Sequence, residues 1–250
     1  MLVMGILNVT PDSFADGGRH NQFGAAVNHG LQMIAEGVDI IDIGGESTRP
    51  GAERVSEEVE IARTIPVITE LAKHGVAISI DTMRASTAEA AINAGASIIN
   101  DVSGGLSDSQ MLQTAARLNV AYIAMHWRGH SKDMNSKAIY ADVVNDVLAE
   151  LNERIEAALD SGIAKDKLII DPGIGFAKNA EHNWAIIDSI DRFVALGYPV
   201  LVGASRKRFL GADSPDEREA ATIELTKRLG TTGVWAVRVH SVKPHKEVLS

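Results

Sequence analysis

Polar side chains end several apolar runs of this sequence, and their chemistry suits a ligand more than a core. In "ISID", "IIND" and "LIID", the residues Asp81, Asn100 and Asp171 directly continue an apolar run, before any turn residue. Burying a carboxylate without a partner costs several kcal/mol, so we expect each of these groups to have one. Together they could pair with a flat polar ring that carries N–H donors.

A second set of residues could bind an anion. In "WAVRVH", Arg238 and His240 are two positions apart, so a β-strand would point both to the same face. The run before it is followed by "GASRKRFLG", where Arg206, Lys207 and Arg208 stand at the predicted start of a short helix. Backbone N–H groups at such a start also favour anions, although a solvated basic turn explains these three residues equally well.

Glycine spacing organises the elements that must position these residues. Phrases such as "AEGVDIIDIGG", "KHGVAISID" and "ALGYPVLVG" share a helical stretch, a glycine suited to a left-handed helix terminus, and a β-branched run. With residues 2–9 and 120–127, these runs predict eight strands of the kind found in parallel sheets buried on both faces. The amphipathic stretches between them predict helices at residues 24–36, 56–74, 84–94, 108–118, 140–161, 179–196 and 216–229.

Eight β–α units predict an α/β protein that forms a single (β/α)₈ TIM-barrel domain over residues 1–250. A doubly wound open sheet is the alternative, but no G-x-G-x-x-G motif follows the first run. The last predicted strand ends at His240, so the eighth helix should be very short. The loops after barrel strands build the active site, which would gather the polar residues above with Asn8 and Glu46. We interpret Asp42 as a supporting hydrogen-bond acceptor and His126 as a satisfied rim histidine.

Composition argues against several other classes of protein. The net charge of -9 disfavours non-specific binding to nucleic acid or to an anionic membrane surface. No apolar run approaches the roughly 18 residues of a membrane span, and no signal-peptide pattern is present. The lack of cysteine rules out thiolate metal sites and fits a cytoplasmic protein. A Mg²⁺ ion that arrives with a substrate phosphate would need only one or two oxygen ligands from the protein.

Seven segments resemble those of the dihydropteroate synthase family, pterin-binding TIM barrels that are the target of sulfonamides. In order from Met4 to about His240, they are "MGILNVTPDSFADGG", "DIGGESTRPGA", "SIDT", "IINDVSGG", "DPGIGF", "GASRKRFLG" and "VRVH". The resemblance implies a transferase of folate biosynthesis that condenses 7,8-dihydropterin-6-ylmethyl diphosphate with 4-aminobenzoate and releases pyrophosphate. It further implies a homodimer with small-molecule substrates and with no nucleic-acid or membrane partner.

The same resemblance implies roles for the residues expected around the pterin ring. Asp171 would bind the N–H and amino edge of the pyrimidine, while Asn100 and Asp81 would bind the remaining ring nitrogens. Lys207 would bind the carbonyl oxygen and N5. Arg238 would lie against the ring.

It also implies how the diphosphate and the second substrate are bound. Arg238 and His240 would bind the diphosphate, Thr48 would contact it, and Asn8 would ligate Mg²⁺. The first two βα loops, residues 9–21 and 44–54, would close over 4-aminobenzoate, with contributions from Asp12, Phe14, Arg49 and Pro50. Two alternatives stay open: a pterin-dependent methyltransferase on the same barrel, and a non-catalytic pterin-binding paralogue.

Overall fold

Eight parallel strands form the centre of the molecule. The computed structural model describes residues 1–10, 19–46, 54–130 and 134–250. Within these ranges the strands are β1 (Leu2–Asn8), β2 (Ile40–Gly44), β3 (Ala77–Asp81), β4 (Ile98–Asp101), β5 (Ala121–Met125), β6 (Leu168–Asp171), β7 (Leu201–Val202) and β8 (Ala236–Val239).

The strands close into a barrel. Their order in the sheet is β6-β5-β4-β3-β2-β1-β8-β7, and a parallel bridge between Ile170 and Val200 joins the two ends. The prediction of a TIM barrel is confirmed, and the open sheet that served as its alternative is wrong. Several glycines after the helices adopt the predicted left-handed conformation, for example Gly75 with φ 73° between the second helix and β3.

Helices cover the outside of the barrel. They are α1 (Arg19–Ala35), α2 (Glu57–Leu71), α3 (Ala85–Asn93), α4 (Met111–Leu118), α5 (Val143–Asp160), α6 (Ala180–Asp188), α7 (Ile190–Val194), α8 (Glu217–Leu229) and α9 (Lys243–Leu249). The stretch predicted as one helix over 179–196 is two helices, because the backbone at Ser189 leaves the helical region (φ -111°, ψ 23°). The predicted short helix after the last strand is α9. None of the helices in the described ranges is both long and apolar enough to cross a membrane.

Buried apolar side chains form three clusters among the described residues. The largest lies between strands and helices. The second, here called the inner plug, fills the barrel and consists of Met4, Ile40, Ile98, Ile123, Ile169, Leu201 and Ala236. The third consists of Met83, Val102 and Met125, with Trp127 and Phe176 packed against it. Because side chains two apart on a strand share a face, the next inward positions can be read from the sequence. They are Ile6, Asp42, Asn100, Met125, Asp171, Gly203 and Arg238.

Candidate active site

A layer of charged and amide side chains lies directly above the inner plug, towards the carboxyl ends of the strands. Asp42, Asn100, Asp171 and Arg238 each stand two positions beyond a plug residue, and Asp81 pairs in register with Asn100. We call these five residues the polar layer. The sequence predicted that Asp81, Asn100, Asp171 and Arg238 meet in one pocket, and the barrel brings them together.

Arg238 is the centre of this layer. Its Nε donates to Asp42 Oδ2 at 2.6 Å, and its terminal nitrogen donates to Asp81 Oδ2 at 2.7 Å. Asn100 donates its amide N–H to the same Asp42 oxygen at 3.0 Å. Asp42 is therefore the supporting acceptor that the sequence suggested, and it orients both Arg238 and Asn100.

The hydrogen bonds of the polar layer are incomplete. Asp42 Oδ1 is buried and has no partner among the described residues. Burial raises the pKa of Asp81 to about 7, against the opposing charge of Arg238, and nearby acids such as Asp42 add to the rise. A buried carboxylate that is this reluctant to ionise marks a candidate functional position. The layer can therefore still accept hydrogen bonds and positive charge from a ligand.

Asp171 lies on the opposite side of the barrel mouth, at the end of β6. Its Oδ1 accepts the Gly173 N–H at 2.7 Å, and burial raises its pKa. A Cβ at Gly203 would be in van der Waals contact with the other Asp171 oxygen, at 3.9 Å from Oδ2. The glycine thus leaves room beside a carboxylate that faces the interior of the barrel.

Lys207 projects back from the β7 loop onto the segment that follows Asp171. Its ammonium donates to the Ile174 carbonyl and lies 4.6 Å from the centre of the Phe176 ring. Burial lowers the pKa of Lys207 to about 8, and the Asp171 carboxylate partly offsets this effect. Gly175 has φ +78°, and a Cβ there would lie 2.7 Å from Lys207 Cδ, so this approach requires glycine.

The neighbouring basic residues point elsewhere. Arg206 has φ 58° and turns its side chain outward, where it binds Glu219 at 2.5 Å and Ser241 at 2.8 Å. Arg208 is exposed and begins a 3₁₀ turn of three residues, Arg208–Leu210. The three basic residues stand at the start of a short helical turn, as the sequence predicted, but only Lys207 reaches the pocket, and the alternative of a solvated basic turn describes Arg206 and Arg208.

His240 is held beside β7 by Ser205. The Ser205 hydroxyl accepts the His240 backbone N–H at 3.2 Å and lies 2.9 Å from Nδ1 of the same residue. A hydroxyl has one donor and two acceptor sites, so Ser205 can serve both atoms of His240 at once. These two contacts fix the position of the His240 imidazole beside the end of β7.

Of the other residues that the sequence predicted for the site, the structure describes some and not others. Asn8 ends β1 and is partly buried at the rim of the barrel. Thr48, Arg49 and Pro50 lie outside the described residues, as do Asp12 and Phe14. Across the described ranges, no group of three His, Asp or Glu side chains has the arrangement of a metal site.

Glu46 at the end of β2 belongs to a cluster whose cation the sequence analysis missed. Arg84, just before α3, donates to Glu46 Oε2 at 3.1 Å, to the Val55 carbonyl at 2.5 Å, and to Glu60. Thr87 donates to the same Glu60 at 3.3 Å. Arg84 is the second residue after "SIDT", so its nearness to a strand end was the available signal.

His126 is the satisfied rim histidine that the sequence predicted. It is buried, its Nε2 lies 2.9 Å from Glu150 Oε2, and its Nδ1 lies 2.9 Å from Lys178 Nζ. Lys178 is the second residue that sequence reasoning missed, because the "DPGIGF" segment was read only as far as Phe176. The amine stands two positions further along the same segment.

Comparison with known proteins fits this geometry. The model of the family described as "Pterin binding enzyme" matches residues 4–240. Dihydropteroate synthase of Mycobacterium leprae is 48% identical over 257 residues, which span 99% of this chain and 90% of that protein. The chain belongs to the dihydropteroate synthase family of pterin-binding enzymes. The sequence-based predictions of this family and of a transferase of folate biosynthesis are confirmed.

Solved structures of the same family share the fold over the whole described barrel. Dihydropteroate synthase of Xanthomonas albilineans with 4-aminobenzoic acid gives a TM-score of 0.93 at 43% identity, covering 99% of this chain and 90% of that one. The same enzyme in complex with 7,8-dihydropteroate gives a TM-score of 0.90 at 40% identity, with the same coverage of both chains.

Proposed function

We propose that this chain joins 7,8-dihydropterin-6-ylmethyl diphosphate to 4-aminobenzoate, giving 7,8-dihydropteroate and pyrophosphate. The observation that carries the proposal is the polar layer, an incompletely bonded set of acids, one amide and one arginine on an apolar plug. The related Xanthomonas enzyme has been solved with 4-aminobenzoic acid and with 7,8-dihydropteroate, which are a substrate and the product of this reaction.

The pterin ring fits the chemistry of the layer. Its pyrimidine edge offers an N–H and an amino group side by side, and Asp171 offers carboxylate oxygens at a strand end. Asn100 can both donate and accept, so it suits ring nitrogens of either kind. Lys207 supplies an ammonium for the ring carbonyl, and within the protein this ammonium donates to the Ile174 carbonyl.

The charges of the layer also suit the departure of pyrophosphate. The bond between the pterin methylene and the diphosphate oxygen breaks, and its electron pair leaves with pyrophosphate. Arg238 and the imidazole of His240 stabilise that anion, while Asp42 and Asp81 favour the positive charge left on the pterin methylene. The arylamine nitrogen of 4-aminobenzoate then attacks the methylene carbon and loses its proton to solvent.

The residues of this site suit a Mg²⁺ ion that binds together with the diphosphate of the substrate. The described residues offer no preformed cluster of acids, but Asn8 ends β1 at the rim with a neutral amide oxygen. One or two such ligands are enough for an ion that keeps waters and substrate phosphate oxygens around it. We propose that Asn8 would hold this ion, which would supply positive charge to the leaving pyrophosphate when bound.

The test is pyrophosphate release by the purified protein in the presence of both substrates and Mg²⁺. We expect pyrophosphate and dihydropteroate to form in equal amounts, and a chelator to stop both. Pterin binding without any turnover would favour the non-catalytic paralogue, and methyl transfer from a methylated pterin would favour the methyltransferase. Asn8→Ala should raise the Mg²⁺ concentration needed for half-maximal rate, with Asn28→Ala on α1 as a control.

Two further parts of the proposal concern the protein in solution. We propose a homodimer, which sedimentation equilibrium would test directly. We also propose a cytoplasmic location, in keeping with a chain that contains no cysteine. Fractionation of the source cells would test the location.

A further inference from the structure

The side chain of Lys178 folds beneath its own loop, residues 172–179, which connects β6 to α6, and its amine has three partners. Nζ lies 3.0 Å from the Gly173 carbonyl oxygen, 3.1 Å from the Phe176 carbonyl oxygen and 2.9 Å from His126 Nδ1. Three acceptors match the three N–H groups of an ammonium, whereas a neutral amine has only two. The geometry therefore fits a protonated lysine that ties its loop to the end of β5, and burial opposes that charge by lowering the pKa of Lys178 to about 7.

His126 is held ready to accept from this lysine. Burial lowers its pKa to about 4, so the imidazole is neutral and one ring nitrogen is an acceptor. Because the pKa of Glu150 is lowered to about 2, its carboxylate can only accept, so Nε2 carries the proton and donates to Glu150 at 2.9 Å, and Nδ1 accepts from Lys178. Glu150 in turn binds Arg128 through both carboxylate oxygens. We call Lys178, His126, Glu150 and Arg128 the rim chain.

The loop held by the rim chain carries two groups of the pterin site. The Gly173 N–H donates to Asp171 Oδ1 at 2.7 Å, and its carbonyl accepts from Lys178. The next carbonyl, that of Ile174, accepts from Lys207. Gly173 has φ +68°, and a Cβ there would lie 2.4 Å from the His126 carbonyl oxygen, so the loop is pressed against β5.

The charges around Asp171 come from three directions. Lys207 on the β7 loop, Lys178 on its own loop and Arg238 on β8 all favour its ionised form, against burial. Around Lys178 itself stand Asp171 and Lys207, and from the rim Arg128 and Glu150. Lys178 is thus the cation in this set that the proposed reaction does not otherwise use.

We propose that Lys178, oriented by His126, is a positioning residue for pterin binding: it fixes the loop that sets Asp171 and Lys207, and its charge keeps Asp171 ionised. The proposal rests on the function proposed above for the identity of the ligand. Lys178 acts through Asp171 and Lys207 and does not itself touch the ring.

The first test compares Lys178→Met with wild type in calorimetric titration with 6-hydroxymethylpterin, which lacks the diphosphate. We expect the dissociation constant at pH 7 to rise about tenfold or more, since a positioning charge-assisted contact is lost. Lys227→Met, which removes an exposed lysine on α8, should bind as wild type does.

The pH dependence separates an electrostatic role from simple loss of packing. Without the Lys178 charge the pKa of Asp171 rises, so on acidification the variant should lose pterin affinity at a higher pH than wild type. We expect this midpoint to move upward by about one pH unit. Weaker binding with an unmoved midpoint would overturn the charge role, and wild-type affinity in Lys178→Met would overturn the whole proposal.

A chemical rescue keeps the test valid even if Lys178→Met folds poorly. The chain has no cysteine, so Lys178→Cys provides a unique thiol for alkylation. Aminoethylation recreates a lysine-like ammonium, and carbamidomethylation of the same protein gives a neutral side chain. We expect the aminoethyl form to bind pterin at least fivefold more tightly, and equal binding by the two forms would overturn the proposal. Failure of the wild type to bind any pterin would instead contradict the proposed function.

Discussion

Two charged clusters, one inside the barrel and one between β2, α2 and α3, differ in how completely their atoms are bonded. In the polar layer, Asp42 keeps an oxygen without a partner among the described residues, and burial raises the pKa of Asp81 to about 7. In the Arg84 cluster, formed by Arg84, Glu46, Glu60 and Thr87, one guanidinium binds both glutamates and the Val55 carbonyl.

The difference separates a binding site from a structural support. Glu60 and Arg84 satisfy each other, and their bonds tie the start of α3 to α2 and to the end of β2. The polar layer holds Asp42, Asp81 and Asp171 with one cation of its own, Arg238, so it has acceptor capacity left over. A protein that keeps such groups inside a barrel gives up stability, and a ligand that supplies donors can complete the set.

The largest expected effect is on stability, from removal of the cation in the closed cluster. Arg84→Met leaves Glu60 buried without its ion partner, so we expect the free energy of unfolding to fall by about 3 to 5 kcal/mol. Arg238→Met, the matched change in the polar layer, should cost less because Asp81 can take up a proton near neutral pH. Urea denaturation at pH 7 measures the free energy of unfolding of both variants. An equal decrease in the two would contradict the proposed difference between the clusters.

Neutralising one carboxylate in each cluster should have opposite effects. A raised pKa in the folded state means that ionised Asp81 costs stability, and that this cost develops as pH rises from about 4 to 7. Asp81→Asn should therefore stabilise the protein at pH 8 by about 1 kcal/mol or more, an advantage that fades on acidification. Glu60→Gln should destabilise it at the same pH. Thermal unfolding across the pH range would show both trends, and destabilisation by Asp81→Asn at pH 8 would contradict this account.

The smallest expected effect concerns Glu150 in the rim chain. Hydrogen bonds from His126 and Arg128 lower the pKa of Glu150 to about 2 against the effect of burial. A lowered carboxyl pKa adds stability above the unfolded value of about 4.5, and this is lost as pH falls towards 2. Glu150→Gln should cost less than about 1 kcal/mol at pH 7, since the carboxylate is partly exposed to solvent. Unfolding curves at pH 7 and pH 3 should show the difference shrinking, whereas a constant difference would argue against the ion pair.

The fold was largely predictable because barrel elements leave strong local patterns. Continuous apolar runs and helix-ending glycines gave all eight strands, since neither depends on distant parts of the chain. The break at Ser189 was not predictable, because the apolar period continues across it and only the backbone angles change there.

The site was predictable where a residue type stood out against an apolar run. Asp171 directly continues an apolar run, and period-two alternation set Arg238 on the same face as His240. Lys178 and Arg84 stand beyond the apolar runs, in the segments that follow two strands, and only tertiary contacts show that their ammonium and guanidinium groups are enclosed. Arg206 was open to two interpretations in the sequence, and its left-handed backbone turns the basic side chain away from the pocket.

The central claim is that the incompletely bonded polar layer binds the pterin ring, and calorimetric titration of wild type and Asp171→Asn with 6-hydroxymethylpterin tests it most directly. The change keeps the shape of the side chain but removes the charge that accepts two donors. We predict that wild type binds and that the variant, with an intact fold by circular dichroism, binds about ten- to a hundredfold more weakly. Equal affinity of the two proteins would contradict the claim.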